Sequence, residues 1–158
     1  MIDTTSGDQH DVLATNDRSL RNPRLSPDRQ WLAFDAIRPG EAPSVMLARL
    51  NASALIPETD WIIVDRSGSH PFWSADGHLL YYVAGSHPMI RTTVVARRFS
   101  SEAGAPTGEP VAAYSSTEIV MPAFLPGTAP LATPDQILLV LGDYRGDIWM
   151  MDLNAGER

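Results

Sequence analysis

Four histidines, a pair of serines in a recurring turn and three aspartates at one phase of a repeat are the residues here that could carry chemistry. The histidines are His10, His70, His78 and His87. A zinc centre needs convergent imidazole, thiolate or carboxylate ligands, and no His-Glu-x-x-His spacing occurs. With no cysteine in the chain, thiolate metal sites and disulfides are excluded. His70 and His87 each precede proline, in the similar strings Gly68-Ser69-His70-Pro71 and Gly85-Ser86-His87-Pro88. That context fits the rim of a channel better than a metal site. Serine catalysis needs a nucleophile on a sharp turn, a base and an orienting acid. No Gly-x-Ser-x-Gly elbow is present, and the position shared by Ser26 and Ser74 argues for structure. Asp28, Asp76 and Asp135 would have to pair to do acid–base work. One per repeat, they are held apart by symmetry, and their expected task is to accept hydrogen bonds from turn amides. No Gly-x-Gly-x-x-Gly or phosphate loop occurs, so no cofactor is implied. The sequence therefore predicts no catalytic set and no metal ligands within this chain.

The elements that position these residues come from an internal repeat. The string Asn22-Pro23-Arg24-Leu25-Ser26-Pro27-Asp28-Arg29-Gln30-Trp31-Leu32-Ala33-Phe34 aligns with His70-Pro71-Phe72-Trp73-Ser74-Ala75-Asp76-Gly77-His78-Leu79-Leu80-Tyr81-Tyr82. A weaker third copy runs Leu131-Ala132-Thr133-Pro134-Asp135-Gln136-Ile137 and on to Val140. Ser26 and Ser74 are 48 residues apart, and Ser74 and Thr133 are 59 apart. Such periods, with several strands per repeat, point to propeller blades. In the turn, proline presets φ, aspartate tolerates a tight bend and Gly77 supplies positive φ. Arg29 and Gln136 stand where that glycine would be, which predicts strain or another turn type there.

Short apolar strands are expected after each turn, at Trp31–Ala36, Leu79–Val83 and Ile137–Leu141. Second strands follow at Ser44–Leu50, Ile90–Phe99 and Asp147–Leu153, and outer strands at Asp60–Asp65 and Pro110–Tyr114. The Gly/Ala/Ser/Thr-rich stretch Ser100–Gly108 reads as a surface loop. Trp31, Trp61, Trp73 and Trp149, with Phe34, Phe72, Tyr81 and Tyr82, read as core between blades. Arg145-Gly146-Asp147 spells an adhesion tripeptide, but its place between two strands makes it a hairpin turn. The ends are alike: Met1–Gly7 resembles Met150–Gly156. The expectation is a near-whole number of blades cut between the third and fourth strand of one blade.

The pattern Pro-x-Trp-Ser-Pro-Asp-Gly before an apolar strand, followed by Gly-Asp-Ile-Trp-x-x-Asp-Leu, resembles the TolB-type, WD-repeat-like β-propeller family of bacteria. It is carried by Pro23, Ser26–Asp28, Trp31–Phe34, Pro71, Trp73–Gly77, Leu79–Tyr82 and Gly146–Leu153, and spans Val12 to Leu153. The resemblance implies an all-β fold of about three four-stranded antiparallel blades, half of a six-bladed propeller. The blades would cover 16–65, 66–115 and 116–158, with an added N-terminal strand at 10–15, in a single partial domain of residues 1–158. It implies a non-catalytic binding or scaffold module, the sensor or interaction part of a larger protein, as in propellers attached to kinases or transcriptional regulators. The alternative is a propeller that gates a prolyl-oligopeptidase-like serine hydrolase whose catalytic domain lies outside this chain. Either way, Arg24, His70 and His87 are the expected ligand-binding residues at the channel mouth. Ser26, Pro27, Asp28, Ser74, Asp76, Gly77, Thr133, Pro134 and Asp135 form the structural turns.

Composition narrows the partners. The 158 residues carry a formal charge of −7, with 12 basic side chains, every one an arginine. Phosphate neutralisation needs a basic face, so nucleic acid is not an expected partner. No apolar run reaches the roughly 20 residues that span a bilayer, so no membrane insertion is expected. The first residues lack the basic and apolar regions of a signal peptide. The lack of cysteine fits either side of a membrane, which leaves the compartment open. Three blades are too few to close a ring, so the partner is either a second copy, giving a homodimer, or the rest of a longer propeller chain, with a protein or small-molecule ligand besides.

Overall fold

A computed structural model describes residues 7, 9–50, 55–85, 93–115, 121–122, 131–133, 136–138 and 141–142. The chain is all-β. One four-stranded antiparallel sheet holds β1 (Ser19–Leu25), β2 (Trp31–Ile37), β3 (Ser44–Arg49) and β4 (Ile62–Asp65), paired in that order. A second holds β5 (Gly68–Trp73), β6 (Leu79–Ala84), β7 (Thr93–Ser100) and β8 (Ala105–Ser115), also in sequence order. Short strands follow: β9 (Met121–Pro122), β10 (Leu131–Ala132), β11 (Ile137–Leu138) and β12 (Leu141–Gly142), pairing as β10 with β11 and β12 with β9. Among the described residues there are thus two four-stranded sheets, where the sequence predicts three.

The two sheets are copies of one unit. In the first, Arg21 pairs with Asp35 and Arg24 with Ala33, and the register slips between them. In the second, Ser69 pairs with Val83 and Phe72 with Tyr81, with the same slip. Each of these positions is 48 residues from its counterpart, the spacing of the sequence repeat. The slip has a cause. Proline has no N–H to give the ladder, which confines it to edge strands and bulges, and Pro23 and Pro71 lie on the edge strands β1 and β5. The residue before each takes the left-handed conformation, Asn22 at φ 51° and His70 at φ 55°. Asn and His are among the side chains that tolerate it best.

The two full turns share one set of hydrogen bonds. Trp31 N–H donates to Ser26 Oγ at 2.9 Å, as Leu79 N–H does to Ser74 Oγ at 2.9 Å. The serine hydroxyls donate to Asp28 Oδ1 at 2.5 Å and Asp76 Oδ1 at 2.6 Å. The same carboxylates accept from Gln30 N–H and His78 N–H, both at 3.0 Å. Those bonds, the serine's first, hold both carboxyls below the usual aspartate range. Arg29 at φ 58° occupies the left-handed position that Gly77 fills at φ 74°. The third copy is shorter. Thr133 N–H donates to Gln136 O at 2.8 Å and Gln136 N–H to Thr133 Oγ1 at 3.1 Å. Gln136 therefore takes the part of Trp31 and Leu79, not of Gly77, and this turn is two residues tighter than the sequence alignment has it. Pro134 and Asp135 lie outside the described residues.

Burial on both faces explains why the central strands read as unbroken apolar runs rather than alternating ones. Trp31, Ala33, Val45 and Leu47 of the first sheet pack with Trp73, Leu80, Tyr82, Val95 and Phe99 of the second. The Phe99 ring lies edge-on to both indoles, 5.2 Å from Trp31 and 5.1 Å from Trp73. Such pairs are worth about 0.5–1.5 kcal/mol beyond their buried area. Trp73 Nε1 donates to Arg24 O at 3.1 Å, and Arg97 donates to Val64 O at 2.6 Å, so polar bonds also cross the seam. The outer face of the first sheet carries Phe34, Met46 and Trp61, with Val12 and Leu13 packed on it. The far face of the second carries Phe72, Tyr81 and Val94, against Ala132 and Ile137. Trp149 and the predicted strand Asp147–Leu153 lie outside the described residues.

Two expectations change. Of the predicted loop Ser100–Gly108, Ser101–Gly104 is the turn and the rest is strand, because β8 starts at Ala105 and pairs with β7 from there on. The predicted strand 10–15 forms one parallel bridge, Leu13 to Ile56, with Ile56 N–H donating to Val12 O at 2.9 Å. Its other anchors are side chains: Thr15 donates to Glu58, and Arg18 pairs with the same carboxylate at 3.3 Å.

Substitutions in the turns separate strain from space. A Cβ on Gly77 would meet only Pro27, at an ordinary 3.5 Å. Gly77→Val is therefore expected to cost about 1–3 kcal/mol through its backbone alone. Arg29→Gly, at the matching position, is expected to be neutral or stabilising. Urea denaturation of both variants checks this, and a loss of stability in Arg29→Gly counts against the equivalence of the turns.

Candidate functional site

The two prolines that break the ladder also build the site. At the His70 bulge the chain turns a backbone amide away from its partner strand. A buried amide left without an acceptor is costly, and at His70 the acceptor comes from the other sheet. His70 N–H donates to Asp35 Oδ1 at 2.8 Å. The second oxygen of that carboxylate accepts from Asn22 Nδ2 at 2.7 Å. One side chain on β2 thereby joins the bulge residue of its own sheet to the bulge of the next.

Asp35 is 2% exposed. It shares a face of β2 with Trp31 and Ala33, so it points into the seam between the sheets. Burial pushes its pKa up to about 6, and the Asn22 and His70 bonds and the charges of Arg21 and Arg24 only partly offset that. His70 is shifted the other way, down to about 4, by burial first and then by the nearby Arg24 charge. The imidazole is therefore neutral at pH 7, with its Nδ1 3.0 Å from Ser69 Oγ.

These groups border a cleft of about 390 Å³ lined by Arg21, Asn22, Asp35, Ser69, His70 and Gly85, with Ile37 and Pro43 as its apolar part. That size suits a small molecule or part of a peptide. Arg21 and Ile37 continue into a neighbouring cleft with Arg18 and Arg38. There the guanidiniums are already matched, Arg18 with Glu58 and Arg38 with Asp17 at 2.9 Å. Arg21 differs: its Nε donates to Ser19 Oγ at 3.3 Å, and it forms no salt bridge among the described residues.

Of the three predicted channel-mouth residues, His70 lines this cleft. Arg24 stands beside it, half-buried, with Nη1 donating to Pro23 O at 3.1 Å. It lines a separate cleft with Leu25, Trp73 and Ser74. His87 lies outside the described residues. His10 and His78 are exposed, and no group of three or more metal-ligating side chains occurs among the described residues. Ser26, Asp28, Ser74 and Asp76 spend their polar atoms on their own turns, and Asp28 Oδ2 also accepts from Ser101 Oγ at 2.9 Å. Among the described residues no helix is long and apolar enough to cross a membrane.

Sequence reasoning did not single out Asp35, Asn22, Arg21 or Ser69. One signal was available. Asp35 is the only charged residue in Trp-Leu-Ala-Phe-Asp-Ala-Ile, and its counterpart in the next repeat is Val83. An acid on the inward register of a buried strand marks a special position.

The two shifted groups give opposite slopes. The folded Asp35 pKa lies above its ordinary 3.8, so the native state binds its proton first, and stability rises as pH falls through about 6 toward 4. The folded His70 pKa lies below 6.5, so the unfolded chain binds that proton first, and stability falls as pH drops through 6.5 toward 4. Each group contributes at most about 1.4 kcal/mol per pH unit. Asp35→Asn is expected to lose stability between about pH 7 and about pH 5, and His70→Asn to gain it. Thermal unfolding across that window checks the pair, and parallel slopes in the two variants would contradict the assignment. No protein-family model matches the chain and no curated protein matches it, so the functional reading rests on this geometry.

Proposed function

We propose that the chain is part of a β-propeller and serves as a non-catalytic binding or scaffold module, with its ligand or partner protein held at the end where β1 and β5 run. The observation that carries this reading is the repeat itself. Two four-stranded sheets share a register, a proline bulge and a serine–aspartate turn at a constant 48-residue spacing, and they pack face to face through large apolar side chains. That is the construction of consecutive blades. In a blade order set by sequence, β1 and β5 are the innermost strands, and the cleft between them opens toward the axis. The TolB-type resemblance agrees with this and suggests the interaction part of a larger bacterial protein. Ring closure would come from further blades, in the same polypeptide or in a second copy.

Ser69, His70 and Asp35 border one cleft, but the bond between Asp35 and His70 is made by the His70 backbone amide and not by its ring, which supports binding over hydrolysis. A photo-crosslinker at Pro43, beside the cleft, should capture the physiological partner in the host cell. The same group at Glu109, on the exposed edge strand β8, should not. Capture at Glu109 alone would overturn the assignment of the binding end. Peptide and ester substrates are expected to show no turnover, and an activity abolished by a single Ser, His or Asp substitution would return the chain to the enzymes.

A further inference from the structure

We infer that the cleft between the two bulges is a carboxylate-binding site, in which Arg21 holds the ligand's carboxylate and Ser69 hydrogen-bonds it. The inference deepens the proposed binding role and rests on it for the position of the site.

Three observations lead there. The first is charge matching. On this side of the molecule Arg18 and Arg38 have carboxylate partners within 4 Å, whereas Arg21 has none among the described residues and lines the cleft directly. Its Nε is held by Ser19 Oγ, which leaves the terminal nitrogens for a second partner. A planar guanidinium end binds carboxylate in a two-bond fork. The second observation is that the acid already present is not that partner. Arg21 and Asp35 pair across the ladder, yet they form no ion pair among the described residues, and the oxygens of Asp35 are turned to Asn22 Nδ2 and His70 N–H. The third is the supply of neutral polar groups. The Ser69 hydroxyl lines the cleft beside a neutral imidazole. A hydroxyl with one mobile proton can satisfy a ligand oxygen without adding charge.

The buried carboxylate restricts the ligand. A second anion close to ionised Asp35 is disfavoured, so occupation of the cleft raises the Asp35 pKa further and draws in a proton. A dianionic phosphate would suffer that repulsion twice, which favours a singly charged carboxylate. The ionisable groups around the cleft are few. Arg21 and Arg24 come from β1, Asp35 from β2 and His70 from β5, while Asp65 at the end of β4 caps the Ser67 amide at 2.7 Å. Asp17, Glu41, Arg18 and Arg38 border the neighbouring cleft. Of these, Asp35 is the group shifted to about 6, and it dominates the response between neutral and mildly acidic pH.

The carboxylate could belong to a small acid or to a peptide's C-terminus. Titration calorimetry of the full chain with acetate, succinate, a short peptide with a free C-terminus and the same peptide amidated separates the two. At least one acid should bind saturably, and more tightly at about pH 5.5 than at about pH 7.5, with the amidated peptide silent. Arg21→Ala should weaken binding about tenfold or more, since a lost charge-assisted bond is worth about 1.5–3 kcal/mol. Arg21→Lys should recover part of it. Asp35→Asn should bind more tightly than the parent at pH 7.5 and equally at pH 5.5, a reversal that damage to the fold does not produce. No saturable binding of any acid, or binding unchanged in Arg21→Ala, overturns the inference. The crosslinking map of the binding end stands or falls separately, because it does not depend on the ligand's charge.

Discussion

A proline in the second half of each sheet's first strand is the constraint from which most of this structure follows. Pro23 and Pro71 cannot donate to the ladder, so β1 and β5 must lie at sheet edges. Each sits in a bulge, beside Asn22 or His70 at positive φ. The His70 bulge turns an amide toward the neighbouring sheet, and that amide requires an acceptor. Asp35 is the acceptor, and its carboxylate draws Asn22, His70 and the charges of Arg21 and Arg24 to one place. A backbone fault thus becomes both a link between sheets and the floor of a cleft.

Much of the scaffold was legible because its signals are local. A serine, a proline or alanine, and an aspartate before an apolar run specify a turn whose bonds all lie within six residues, and both full copies form it in full. The strand starts at Trp31, Ser44 and Leu79 were legible from apolar content and β-branched or aromatic enrichment. The errors fall where composition and geometry part. Ala105–Gly108 is poor in strand-forming residues, yet it forms strand because the facing residues of β7 supply the ladder. Gln136 looks like the third residue after the turn's threonine in both copies of the alignment, and only its hydrogen bonds reveal that the loop has closed early.

The site was less legible than the fold, for a physical reason. Its residues come from the edge strands of two sheets and from one central strand, and nothing local in the sequence brings Asp35 to His70, 35 positions away. His70 was reached through the Gly-Ser-His-Pro string it shares with His87, and Arg24 only as an expected channel-mouth residue of a propeller. Asp35 departs from the repeat, standing where the second copy has Val83, and an alignment that seeks likeness passes over it. The shifts at Asp35 and His70 share one cause, burial, and have opposite signs because one group is charged when deprotonated and the other when protonated. Their pairing leaves the parent protein less sensitive to mild acid than either group alone would make it.

The aromatic seam also bears on the order in which the chain is made. Trp31 belongs to the first sheet, but the ring that closes over it is Phe99, on the third strand of the second. A ribosome has completed β1 to β4 long before that residue emerges. Until β5 and β6 bring Trp73, Leu80 and Tyr82, the wall of Trp31, Val45 and Leu47 has nothing from the second sheet against it, and its cover is complete only with Phe99. Translation speed between β4 and β7 thus sets how long this apolar face is open to chaperones or to another growing chain.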